Sequence, residues 1–178
     1  GVDPVQGARV EHPAVLLVDH AHDHHVVEAQ GLLHPVVEDP DQCRDRVEQL
    51  LRQYPAGLVI EEFIAGRELT VPFLECHPGR VVEIVEHVFD LSASGARYNI
   101  YDYEMKQAGE SYPGIATVCP AELTDAERRA VIDMVNDVID VMACPDFGRV
   151  DVRLDADGTP FFIELNPLPS LHPSASLM

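Results

Sequence analysis

Residues 149–166 read Arg149-Val150-Asp151-Val152-Arg153-Leu154-Asp155-Ala156-Asp157-Gly158-Thr159-Pro160-Phe161-Phe162-Ile163-Glu164-Leu165-Asn166. Asp-Ala-Asp-Gly is a turn signal between two alternating segments, so the stretch predicts a β-hairpin of antiparallel strands. Side chains alternate between the faces of a strand, and a turn of even length sorts them. Val150, Val152 and Leu154 then share an apolar face with Phe161, Ile163 and Leu165. The opposite face collects Arg149, Asp151 and Arg153 with Phe162, Glu164 and Asn166. Two carboxylates and an amide oxygen beside guanidiniums are the all-oxygen ligands that a hard cation such as Mg²⁺ takes, usually sharing them with phosphates. A solvated face of cross-strand salt bridges is the other reading that the spacing allows.

Upstream of the hairpin, Thr124-Asp-Ala-Glu127 is a capping-box pattern. Val131, Met134, Val135, Val138, Ile139 and Met142 continue it in helical phase, and the helix should stop near Cys144-Pro145. An earlier amphipathic helix follows Asp39-Pro40, with Val47, Leu50, Leu51 and Tyr54 on one stripe. Between the helices, Leu58 to Ile64, Glu68 to Glu75 and Val81 to Phe89 are separated by Ala65-Gly66-Arg67 and Pro78-Gly79 and read as a β-meander. Helix with meander, then helix with hairpin, argues an α+β fold rather than a doubly wound parallel sheet. Residues 1–30 fit no clear element beyond a candidate strand at His12 to Val18. His20, His22, His24 and His25 are a possible zinc ligand set on paper, but with no second ligand cluster they read as a polar loop.

With 178 residues the chain has length for one domain or two closely joined subdomains. Its net charge of −19, from 31 acidic against 12 basic residues, disfavours nucleic acid and anionic membrane as partners. No stretch reaches the roughly 18 apolar residues of a membrane helix, and no signal peptide opens the chain. Cys43, Cys76, Cys119 and Cys144 form no CxxC pair and read as reduced thiols in a cytoplasmic protein. Lys106 is the only lysine among 11 arginines.

Leu58-Val-Ile-Glu-Glu-Phe-Ile-Ala-Gly-Arg-Glu-Leu-Thr-Val71, Tyr101-Asp-Tyr-Glu-Met-Lys106, Cys119-Pro-Ala121, Arg149-Val-Asp151 and Glu164-Leu-Asn-Pro167 occur in one order along the chain. Together they resemble the ATP-grasp superfamily, most closely the D-alanine–D-alanine ligases and related carboxylate–amine ligases. The resemblance implies two antiparallel, helix-flanked subdomains that sandwich ATP: a divergent small subdomain over residues 1–61 and a large one over 62–178. It implies an enzyme in which ATP phosphorylates a carboxylate and an amine attacks the acyl phosphate; a non-catalytic nucleotide-binding or scaffold module of the same descent is the alternative. Asp151, Glu164 and Asn166 match the ligands of Mg²⁺, or of Mn²⁺ in its place. Arg149, Lys106 and Ser176 match catalytic positions: at the transferred phosphoryl group, at the ATP phosphates and near the second substrate. Glu61, Glu62, Phe63 and Ile64 match the hinge that meets adenine, and Glu68 the acid that holds the ribose hydroxyls. The implied partners are small amino-acid or dipeptide-like carboxylate and amine substrates and a second copy in a homodimer.

Two departures from the family stand out. Leu17 occupies the place of a phosphate-binding lysine, and the histidine tract stands where a Ser/Gly-rich phosphate loop is expected. Ser170 also replaces a glycine whose N–H lines the oxyanion site in such ligases.

Overall fold

The structure is a computed structural model that describes residues 14–17, 36–37, 39–53, 55, 58–94, 98–100 and 114–170. Lys106 with its Tyr-Asp-Tyr-Glu segment, Ser176 and the His20 to His25 tract lie outside the described residues. The chain divides into two compact units, Gly1–Phe63 and Ile64–Met178.

In the first unit, β1 (Ala14–Leu17) is flanked by β2 (Val36–Val37) and β3 (Val59–Glu62) in a three-stranded antiparallel sheet. Helix α1 (Pro40–Gln53) begins with proline at its first position, while Asp39 Oδ1 accepts from the Asp41 and Gln42 N–H groups, both at 2.9 Å. Leu50 is fully buried. Leu51, expected on the same stripe, is exposed, so the apolar stripe is narrower than the sequence implied.

The second unit is built on a five-stranded antiparallel sheet in the order β6-β5-β4-β7-β8. Its strands are β4 (Gly66–Leu74), β5 (Val85–Phe89), β6 (Ile115–Val118), β7 (Phe147–Asp155) and β8 (Pro160–Asn166), with a short α2 (Leu91–Ser94) after β5. Helix α3 (Asp125–Met142) covers one face. Its buried Val131, Val135 and Ile139 recur every four residues and meet Leu69, Val71, Phe73, Val150, Val152 and Leu154 from β4 and β7. The capping box forms as the sequence specifies: Thr124 Oγ1 accepts from Glu127 N–H at 3.3 Å, and Glu127 Oε2 accepts from Thr124 N–H at 2.7 Å.

Strands β4 and β7 pair along their whole length, from Gly66 opposite Asp155 to Leu74 opposite Phe147. Gly66 permits this approach, because a Cβ there would collide with the Leu154 carbonyl. The β7–β8 hairpin departs from the expected even turn. Leu154 pairs with Pro160, which leaves the odd run Asp155 to Thr159 as the connection. A β-bulge between Asp151 and Val152 then shifts the register by one residue on β8, at Ile163. The expected faces must be corrected on the turn side of the bulge, where Phe162 stands opposite Val152 and Phe161 opposite Arg153. Beyond it the even register is restored, with Asp151 opposite Glu164, Val150 opposite Leu165 and Arg149 opposite Asn166.

Candidate functional site

With one face of the sheet given to α3, strand alternation sends every second residue to the other face. Register places Glu68, Thr70, His87, Thr117, Arg149, Asp151, Arg153, Glu164 and Asn166 there. This face carries polar residues from all five strands, with Val85, Phe89, Ile115 and Phe161 among them.

At its β7–β8 end Arg149 forks onto Asp151, with Nε to Oδ1 and Nη2 to Oδ2 both at 2.8 Å, and Nη2 lies 3.6 Å from Glu164 Oε1. One guanidinium thus bridges two carboxylates that stand directly opposite in register. Thr70 Oγ1 donates to Asp151 Oδ1 at 3.3 Å and lies 3.3 Å from His87 Nε2; Thr70 and His87 are both buried. Asn166 Oδ1 accepts the Leu168 N–H at 3.0 Å, which fixes its amide oxygen two residues from Glu164. The structure therefore brings together Arg149, Asp151, Glu164 and Asn166, as the hairpin reading expected.

The donor set fits a hard cation only in part of its shell. Two carboxylates and an amide oxygen lie on one face, and among the described residues no group of three or more His, Cys, Asp or Glu is arranged to hold a metal ion by itself. Mg²⁺ suits this arrangement, since it is commonly held by one or two carboxylates with the remaining positions left to water and phosphate oxygens. Asp151, Glu164 and Asn166 would hold it, and bound there it would offset charge on phosphate oxygens.

Arg153, which the sequence grouped with Arg149 beside the carboxylates, turns elsewhere. Its guanidinium meets Glu68 Oε2 at 3.0 Å, the Ile64 carbonyl at 2.6 Å and Asn99. Burial pulls its pKa down from the ordinary arginine value, and the Glu68 charge pulls it back up. Glu68 lies on β4 with 20% of its side chain exposed, on the polar face. Of the residues expected at the hinge, Glu61 and Glu62 are both exposed, Phe63 is buried and Ile64 is half-buried. Ser170 is exposed, and Leu17 ends β1 opposite Val59. Thr70, His87 and Asn99 were not singled out by the sequence; only the pairing of β4 with β5 and β7 brings the first two to the site.

A family model described as D-ala D-ala ligase C-terminus matches residues 35–177. The chain belongs to this family.

Relatives of this chain include the D-alanine–D-alanine ligase of Bordetella petrii, 36% identical over 64% of this chain and 32% of that protein. The uncharacterized protein y4sG of Sinorhizobium fredii is 30% identical over 76% of this chain and 39% of that protein. The chain thus spans well under half the length of these relatives. Among solved structures, VanG D-Ala:D-Ser ligase of Enterococcus faecalis superposes with a TM-score of 0.66 at 15% identity, covering 95% of this chain and 44% of that one. The D-alanine–D-alanine ligase of Bacillus anthracis superposes at 0.62 and 20% identity, over 93% of this chain and 47% of that one. At such identities the likeness establishes the fold, which is the α+β ATP-grasp fold expected from the motifs. All four cysteines are free, and no described helix is long and apolar enough to cross a membrane.

Proposed function

We propose that this chain is the Mg-ATP-binding portion of an ATP-dependent carboxylate–amine ligase. ATP phosphorylates a carboxylate, an amine attacks the acyl phosphate, and ADP and phosphate leave. The observation that carries the reading is the register of the β7–β8 hairpin, which groups Arg149, Asp151, Glu164 and Asn166 on the sheet face away from α3. On a chain of net charge −19, a polyphosphate needs cations and positioned guanidiniums to bind at all, and this face supplies the ligands for one and carries the other. Arg149 stabilises charge on the transferred phosphoryl group and the tetrahedral centre, Lys106 meets the phosphates, and Ser176 lies near the second substrate. Glu61 to Ile64 meet adenine and Glu68 the ribose. Relatives named D-alanine–D-alanine ligase and D-Ala:D-Ser ligase support amino acids or dipeptide-like molecules as the carboxylate and amine.

Leu17 favours a second reading, in which the chain binds nucleotide without turning it over. It stands where the family resemblance places a phosphate-binding lysine, and it lies outside the matched residues 35–177. Calorimetry with ATP, with and without Mg²⁺, followed by ADP release with D-alanine and a panel of amino acids, separates the two. Mg²⁺-dependent binding with amino-acid-dependent ADP release is expected. Tight binding without release supports the module reading, and no binding overturns both.

A further inference from the structure

Arg153 offers five N–H donors, and the structure gives each an acceptor. Nε donates to the Ile64 carbonyl at 2.6 Å; Nη1 donates to Glu68 Oε2 at 3.0 Å and to the Asn99 carbonyl at 2.9 Å; Nη2 donates to Asn99 Oδ1 at 3.0 Å and to the Gly66 carbonyl at 3.4 Å. The Asn99 amide closes the arrangement by donating to the same Gly66 carbonyl. Arg153 is 7% exposed, so a cation is buried under conditions in which every proton has a partner and one partner is a carboxylate. These acceptors lie 54 to 89 residues away along the chain. One planar group on β7 therefore fastens the start of β4, the backbone just before it, and the Asn99 segment.

We propose that Arg153 is the positioning residue for the sugar edge of the nucleotide. It anchors one carboxylate oxygen of Glu68, Oε2, through Nη1 and, with Asn99, holds the backbone of residues 64–66 that leads into Glu68. This rests on the reading of Glu68 as the ribose acid. A vicinal diol is held well only by a carboxylate whose two oxygens are already set in direction, because a side chain that must be ordered on binding costs rotamer entropy. Arg153 aims Glu68 by holding Oε2 from Nη1 while its other donors, on Ile64, Gly66 and Asn99, fix the guanidinium plane; the ammonium of a lysine, with three donors on a flexible stem, does not reproduce this.

The test compares Mg-ATP with Mg-2′,3′-dideoxy-ATP by calorimetry on the wild-type chain and on Arg153→Lys, with thermal unfolding recorded in parallel. The wild type is expected to prefer ATP by about 10-fold or more, the worth of a hydrogen bond to a charged group. In R153K the ATP affinity falls toward that of the dideoxy nucleotide, which itself changes little, so the preference collapses toward unity. A variant in which both nucleotides weaken equally and the preference survives overturns the proposal and leaves Arg153 as a structural tie. If R153K does not fold, Asn99→Ala, which removes one acceptor and leaves the Glu68 pair, takes its place: a reduced preference is expected, and an unchanged one overturns the proposal. A wild type that binds ATP and dideoxy-ATP alike removes the ribose role of Glu68 and the proposal with it, and a wild type that binds neither removes the functional reading itself.

Discussion

Asp151 receives both arms of Arg149 and the Thr70 hydroxyl, yet it belongs to the polar face and not to the cluster beneath α3. Its replacement should therefore damage binding more than folding. Asp151→Asn or Glu164→Gln is expected to weaken Mg²⁺-dependent ATP binding on the order of 10–100-fold, with the unfolding temperature nearly unchanged. Unaltered ATP affinity in either variant would remove the metal assignment. Thr70→Val keeps the shape and deletes the hydroxyl that joins His87 to Asp151, so metal affinity should fall by about 10-fold while stability drops by about 1–3 kcal/mol. Equal Mg²⁺ affinities for wild type and T70V would show that Thr70 does not orient Asp151. The sequence grouped Arg149 with its partners, since Asp151 lies two residues away and Glu164 diagonally across the hairpin. It put Arg153 on the right face but did not name its partners, since the groups that claim that guanidinium are 54 to 89 residues distant and no local pattern names them.

The elements whose signals are local were legible: the capping box at Thr124, proline after Asp39, and the stripe of Val131, Val135 and Ile139 formed as the sequence specifies, although Met142, expected on that stripe, is exposed. The bulge was not, because a one-residue shift in pairing is set by the twist of two strands and by the Asp155 turn, whose Oδ1 accepts from Asp157 and Thr159 N–H groups. The odd connection and the bulge cancel beyond Ile163, which is why an even-turn argument placed Asp151 with Glu164 correctly while misplacing Phe161 and Phe162. Thr124 and Glu127 exchange hydrogen bonds at the start of α3, and hydrogen bonds from the Thr124 side chain and backbone hold the Glu127 carboxyl below its ordinary value of 4.5. Burial raises Glu83, but Arg128 and the Ile84 N–H outweigh it and leave this carboxyl lowered as well. A carboxyl whose folded pKa is depressed contributes stability above its unfolded pKa, and that contribution is lost as pH falls through the folded pKa. Urea unfolding should therefore show a loss of stability below about pH 4.5 that is smaller in Glu127→Gln. Thr124→Ala should cost about 0.5–2 kcal/mol at neutral pH. An acid profile of E127Q that superimposes on the wild type would show that the cap does not carry the pH dependence.

Across the whole molecule 31 acidic residues face 12 basic ones, and several arginines are already engaged: Arg67 with Glu86, Arg80 with Asp140, Arg128 with Glu83, Arg149 with Asp151 and Arg153 with Glu68. Two salt effects then oppose each other. Screening weakens exposed pairs such as Arg80 with Asp140, each worth about 0–1 kcal/mol, and relieves repulsion among the excess carboxylates. The buried Arg153 pair is screened least, so what salt removes is mainly the repulsion. Raising NaCl from about 0.01 M to about 1 M shortens the screening length from about 30 Å to about 3 Å, and the unfolding temperature should rise by about 2–4 °C for each kcal/mol of repulsion removed. At constant high salt, Mg²⁺ with ATP should raise it further in the wild type and not in D151N, because that increment follows from binding to the folded state rather than from screening. An unfolding temperature that falls steadily with NaCl would mean that ion pairs outweigh net repulsion, and an equal Mg-ATP increment in D151N would mean that the nucleotide stabilises the chain away from the hairpin.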